Sequence, residues 1–184
     1  MIDPAEFWSS FAYDGTPIRK ADPHKLGARV SNETARRMLI EIGLPEQLGY
    51  ELFFFGIHKQ PLTLGEFLRQ RQRSEMTEVD HHLMIASGDD VGIIVLDGSS
   101  GRVYSWKDGR KLQINCSLDK FIEFLCLIQD SLNEIDRNPS IVDVRHLANL
   151  ANQLMERFEV IDPEGLEESR SYWRELTKRI FLDE

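Results

Sequence analysis

The sequence predicts an α+β fold: a mostly antiparallel central sheet, a meander at its heart, flanked by helices. Three observations lead there. Four short runs, Leu83–Ala86, Val91–Leu96, Arg102–Trp106 and Lys111–Asn115, follow one another closely. The links between them have turn chemistry: Gly88-Asp89-Asp90, Asp97-Gly98-Ser99-Ser100-Gly101 and Lys107-Asp108-Gly109. A parallel crossover needs about a dozen residues or more, so strands spaced this tightly pair antiparallel. The third observation is an apolar stripe at helical spacing that starts at Leu118, directly after the last run.

The elements follow in order. Phe7, Trp8, Phe11 and Tyr13 are aromatic enough to pack, and Asp14-Gly15 and Asp22-Pro23 are turn signals. Residues 1–30 are therefore read as a short strand or an arm across the core. Ser31 or Asn32 caps a helix whose inner face is Ala35, Met38, Leu39 and Ile42. Gly43 and Pro45 end it. Leu52-Phe53-Phe54-Phe55 reads as a buried strand, and Leu64, Phe67 and Leu68 as a short helix. Val91–Leu96 is apolar on both faces, apart from Gly92, which makes it a central strand. Leu112 and Ile114 alternate with polar neighbours, so their strand has one wet face. Ser117 caps a long helix with the stripe Leu118, Phe121, Ile122, Leu125, Ile128, Leu132 and Ile135, and Phe124 and Leu127 widen it. Asn138-Pro139 ends that helix. Ser140 and Asp143 resemble a capping box for the next, with the stripe Val144, Leu147, Ala148, Ala151, Leu154, Met155 and Phe158. Asp162-Pro163 opens the last, whose inner face is Leu166, Trp173, Leu176, Ile180 and Phe181.

The chain has 184 residues, 41% of them hydrophobic, and a formal net charge of -9. That charge repels phosphate backbones, which argues against general nucleic-acid binding. It suits solubility and a basic protein partner. Two cysteines, Cys116 and Cys126, do not make a disulfide framework and point to a reducing compartment. No leader pattern and no membrane-length apolar run is visible, so the expected location is the cytoplasm.

No catalytic signature emerges. His81-His82 with Asp89-Asp90 suggests a metal, but adjacent residues of a strand point to opposite faces, so no metal or cofactor is expected. Cys116 before a helix lacks a marked histidine base, and inert burial is its default. A small hydrolase using His81, His82 or Cys116 is the least favoured reading. Gly98 and Gly101 precede no helix, so they do not cradle phosphate. Arg69, Arg71 and Arg73 would share one face only if extended, and a solvated charged loop is the plainer reading. Tyr104 and Trp106 share a strand face and read first as core. An exposed Trp106 beside Asp108 would instead be an interface anchor. The binding candidates are Asp89, Asp90 and Asp108 at hairpin ends, together with Trp106, since loops on a rigid sheet display binding residues.

Several of these pieces together resemble the SUKH superfamily, most of all its fourth subfamily of bacterial immunity proteins. They are the helix end Glu41-Ile42-Gly43-Leu44-Pro45, the aromatic run Leu52–Phe55, Gly88, and the strand Ile93–Asp97. The turn into Gly101-Arg102-Val103 and the step Asn115-Cys116-Ser117-Leu118 with Phe121 and Leu125 complete them. The resemblance covers Glu33 to Leu132. Cys116 replaces a small hydroxyl residue, and the stretch Gln60–Asp80 and the helices from Ser140 onward fall outside the clearest pattern. What the resemblance implies is a single SUKH-like domain over 1–184, with its core at about 31–136 and C-terminal helices at 140–184. It implies no fixed catalytic set and no cofactor. The implied function is non-enzymatic binding and neutralisation of a cognate polymorphic toxin, many of which act on nucleic acid and carry basic surfaces. The alternative is a general interaction or regulatory scaffold with no toxin partner. Neither nucleic acid nor membrane is an expected partner, and the oligomeric state is left open.

Overall fold

The computed structural model describes residues 4–182 other than 14, 50, 72–80, 89–90 and 142. Its centre is a six-stranded antiparallel sheet in simple sequence order: β3 (Gln47–Leu48), β4 (Leu52–Phe54), β5 (Leu83–Gly88), β6 (Gly92–Leu96), β7 (Val103–Lys107) and β8 (Arg110–Asn115). β5 to β8 are the expected meander. A second, two-stranded sheet joins β1 (Ile18–Arg19) to β2 (Leu44–Pro45). The α-helices are α1 (Pro4–Ala12), α2 (Pro23–Leu26), α3 (Glu33–Arg37), α4 (Leu64–Gln70), α5 (Leu118–Arg137), α6 (Val144–Ile161) and α7 (Pro163–Leu182).

Two bulges decide which side chains meet the core. Met84 pairs with Val95 and Ala86 with Ile94, so Ile85 is the extra residue and both Ile85 and Ala86 join the large core. On β8, Asn115 pairs with Val103 and Gln113 with Tyr104, which leaves Ile114 extra. The freed carbonyl of Ile114 accepts the Nε1–H of Trp173 at 3.0 Å and the Oγ–H of Ser169 at 3.2 Å, both from α7. That contact locks the last helix along the last strand.

One core cluster, running from Phe7 to Phe181, lies between the sheet and α1, α3, α5, α6 and α7. α5 is buried on several sides, as Phe124 and Leu127 imply: Phe121, Ile122, Phe124, Leu125 and Ile128 are all buried. Phe124 stacks on Phe158 and meets Trp173 edge-on at 5.0 Å, so aromatic contacts join three helices. α4 covers part of the other sheet face, where Leu64, Leu68, Met84 and Val95 form a second cluster. The second half of β6, Ile94 to Leu96, is therefore covered on both sides, while Ile93 stays half-buried.

Several expectations need correction. The N-terminal segment begins as a helix, because Phe7 and Phe11, four residues apart, fill one buried stripe against α5. Asn32 is the cap of α3, its Oδ1 accepting from the Ala35 N–H at 2.9 Å. That helix widens into a π-helical turn over Met38–Ile42 and ends at Gly43. There φ is +88°, and a Cβ would lie 2.6 Å from the Arg19 carbonyl oxygen, so only glycine fits. Phe53 is 51% exposed, so β4 is not a fully buried strand. Ser140 lies in a 3₁₀ turn and Asp143 alone caps α6 through the His146 N–H. Val144 leaves the expected α6 stripe at 75% exposure, and Leu150 is buried instead.

Candidate functional site

The sheet face around α4 is only partly covered by the rest of the chain. Strand register lays one row of side chains straight across it: Phe53 opposite Ser87, Ser87 opposite Ile93, Ile93 opposite Trp106, and Trp106 opposite Lys111. Tyr104, two residues before Trp106, shares the face. α4 shields only part of this face. Thr63 caps it with a full capping box, its Oγ1 accepting from the Glu66 N–H while the Glu66 carboxylate accepts from the Thr63 N–H. Leu64 and Leu68 face inward, and Phe67 packs beside Phe55 at 6.4 Å.

Beyond α4 an open recess of about 430 Å³ remains, floored by Ile93 and Trp106 and walled by Phe55, Phe67, Leu68 and Arg71. The Arg71 guanidinium lies 4.4 Å from the Phe67 ring centre and the Lys111 ammonium 5.0 Å from that of Tyr104. Half-buried aromatics framed by cations are the composition of an interface core and its rim. Here Trp106 is both core and surface: one side packs on the second cluster and the other lines the recess.

Of the remaining binding candidates, only Asp108 is among the described residues. Asp89 and Asp90 lie outside the described residues, but Gly88 and Gly92, which bracket them in sequence, both line the recess. Asp108 sits at the β7–β8 hairpin in a left-handed conformation, φ +51°, and is exposed. It lines a different recess, shared with Ser105, Leu112 and Tyr172, so Trp106 and Asp108 are not brought together. Arg69 lies within α4 and Arg71 at its cap, so the extended-chain arginine face does not form; Arg73 is outside the described residues.

Cys116 is set against nucleophilic chemistry. Burial pushes its thiol up to about 11, aided by a hydrogen bond to Asp162 and that carboxylate's charge. Asp162 is a residue the sequence shows only as a helix opener. It is buried and accepts from Asn115 Nδ2 at 3.0 Å, Cys116 N at 2.9 Å and Gly165 N at 3.0 Å. The carboxylate thus ties the β8–α5 step to the start of α7. The Asp162-Pro163 pair followed by Gly165 was the available signal.

The family description "SUKH-4 immunity protein" matches residues 5–179. The chain belongs to the SUKH-4 immunity protein family. The match reaches beyond Glu33–Leu132 at both ends and takes in α1 and the helices after Ser140 that the resemblance left out. No curated protein and no solved structure matches the chain. Among the described residues no helix is long and apolar enough to cross a membrane. The SUKH-4 chain therefore carries a partly covered aromatic sheet face, and its one structurally described candidate cysteine site is tuned toward the thiol.

Proposed function

We propose that this SUKH-4 chain is a cytoplasmic, non-enzymatic immunity protein that binds and neutralises a cognate bacterial toxin domain through the sheet face centred on Trp106. The observation that carries the reading is the family match over residues 5–179. The cross-strand row ending at Trp106 and Lys111 supports the choice of face. Trp106 anchors, Phe53 and Tyr104 widen the contact, and the acidic residues Asp89, Asp90 and Asp108 steer a basic toxin surface. The net charge of -9 suits that steering. By occupying the toxin's cationic surface, the acidic chain keeps nucleic acid away from it.

The test is co-purification of the chain with the C-terminal domain of the toxin encoded next to it, followed by calorimetry. A one-to-one complex at submicromolar concentration is expected, with toxicity suppressed in cells expressing both. Absence of a complex at micromolar concentration refutes the immunity reading and leaves the scaffold alternative. Binding that Trp106→Ala and Phe53→Ser both leave unchanged refutes this face.

A further inference from the structure

His81, His82 and Asp97 form a cluster that the sheet face does not use. Leu83 and Leu96 are the last register partners of the β5–β6 pair. His82 and Asp97 are the next residues beyond that pair. His81 and His82 occupy a turn and a bend ahead of β5. Strand alternation therefore does not separate them, and their ring centres are 4.4 Å apart. One ligating atom from each of His81, His82 and Asp97 lies within 4.8 Å of the other two.

The cluster is firm on one side and adjustable on the other. His82 is buried with its ring 5.5 Å from that of Tyr104. Asp97 is fixed by its own turn: Oδ1 accepts from Ser99 N and Ser99 Oγ, and Oδ2 accepts from Ser100 Oγ. The turn is fixed in its place by Gly98, whose carbonyl accepts the N–H groups of Ser31 and Asn32, each at 2.8 Å. His81 alone is exposed.

We propose that His81, His82 and Asp97 form a binding site for a divalent transition-metal ion of the Zn²⁺ class. Two imidazoles and a carboxylate suit that class, whereas Ca²⁺ and Mg²⁺ prefer all-oxygen ligation. Ligand bonds of about 2.0–2.1 Å place the donors of a tetrahedral ion roughly 3.4 Å apart, so the 4.8 Å cluster closes by up to about 1.4 Å on binding. Rotation of exposed His81 shortens its two separations, and rotation of the His82 ring or the Asp97 carboxylate shortens the third. An open recess of about 480 Å³ beside His81 and Asp97 admits the ion and a water as fourth ligand. Arg29 lines the same recess, but its guanidinium is compensated by Glu66 at 2.8 Å. The bound ion ties the segment ahead of β5 to the β6–β7 turn.

The test uses the full chain, stripped with chelator and titrated with ZnCl₂ and separately with CoCl₂. The expected result is one ion per chain, a higher melting temperature with Zn²⁺, and a cobalt spectrum of nitrogen and oxygen ligation. His81→Ala, which removes an exposed ring, and Asp97→Asn, which keeps an acceptor for the turn, each weaken affinity by about tenfold or more. His24→Ala, an exposed histidine elsewhere, leaves it unchanged. No Zn²⁺ binding at millimolar concentration overturns the assignment. So does equal weakening by His24→Ala, or a thiolate-to-cobalt charge-transfer band.

Discussion

Single buried polar groups hold the C-terminal half together, and they give the sharpest predictions. Replacing Asp162 by Ala strands three donors, from Asn115, Cys116 and Gly165, in a closed site. The expected cost is about 3 kcal/mol or more in urea unfolding. The milder Asp162→Asn removes the negative charge beside Cys116, so iodoacetamide alkylation of Cys116 should speed up at fixed pH. In the unaltered protein that alkylation should be slower than for a free thiol. The sign of the pH effect follows from the same group. A thiol raised in the folded state favours folding fully below its unfolded value, about 8.5. That contribution is lost as pH rises toward and through about 11. Unfolding midpoints should therefore decline over that window, and Cys116→Ser should flatten the decline. Beyond the Asp162-Pro163 helix start, this network was not legible in the chain. Asp162 looks like any Asp-Pro helix start, and only the bulge at Ile114 turns Asn115 inward to meet it.

At the scale of elements, what the sequence shows best is what local chemistry alone decides. Turn residues and alternation define β5 to β8, and a continuous apolar stripe defines α5. α1 is less visible, because its aromatic residues favour strands by propensity while their burial against α5 favours a helix. Trp106 was legible as an ambiguous residue, core or anchor; it packs on the second cluster with one side and lines the recess with the other. Phe53 was hidden inside a run that reads as buried, since cover on a sheet face is set by tertiary packing and not by the run itself. The turn at Gly98 gives a test of element docking. A Cβ there would sit 1.8 Å from the Arg29 carbonyl oxygen, backbone that cannot yield cheaply. Gly98→Ala should cost about 3 kcal/mol by separating the β6–β7 turn from the start of α3, read as a lowered urea midpoint.

On the proposed function, net charge and the aromatic face of the whole molecule divide the work of recognition. Charge sets how fast the partner arrives and the face sets how long it stays. Stopped-flow association with the toxin domain should slow as salt rises, because the Debye length shrinks to about 8 Å at physiological ionic strength. Trp106→Ala should instead raise the dissociation rate, weakening affinity by about thirtyfold, or about 2 kcal/mol. Circular dichroism checks that the variant remains folded, and Phe53→Ser offers a second substitution at a more exposed position.

The way α7 occupies β8 has a further effect. With Trp173 and Ser169 on the bulge carbonyl, one backbone acceptor at that border of the sheet is already taken, and β3 at the other border is only two residues long. Both borders thus disfavour main-chain pairing by an added strand, a mode that tolerates almost any sequence. On the proposed function, discrimination then rests on individual side chains, so a few substitutions on one face should redirect the protein to a new target while the scaffold beneath stays as it is.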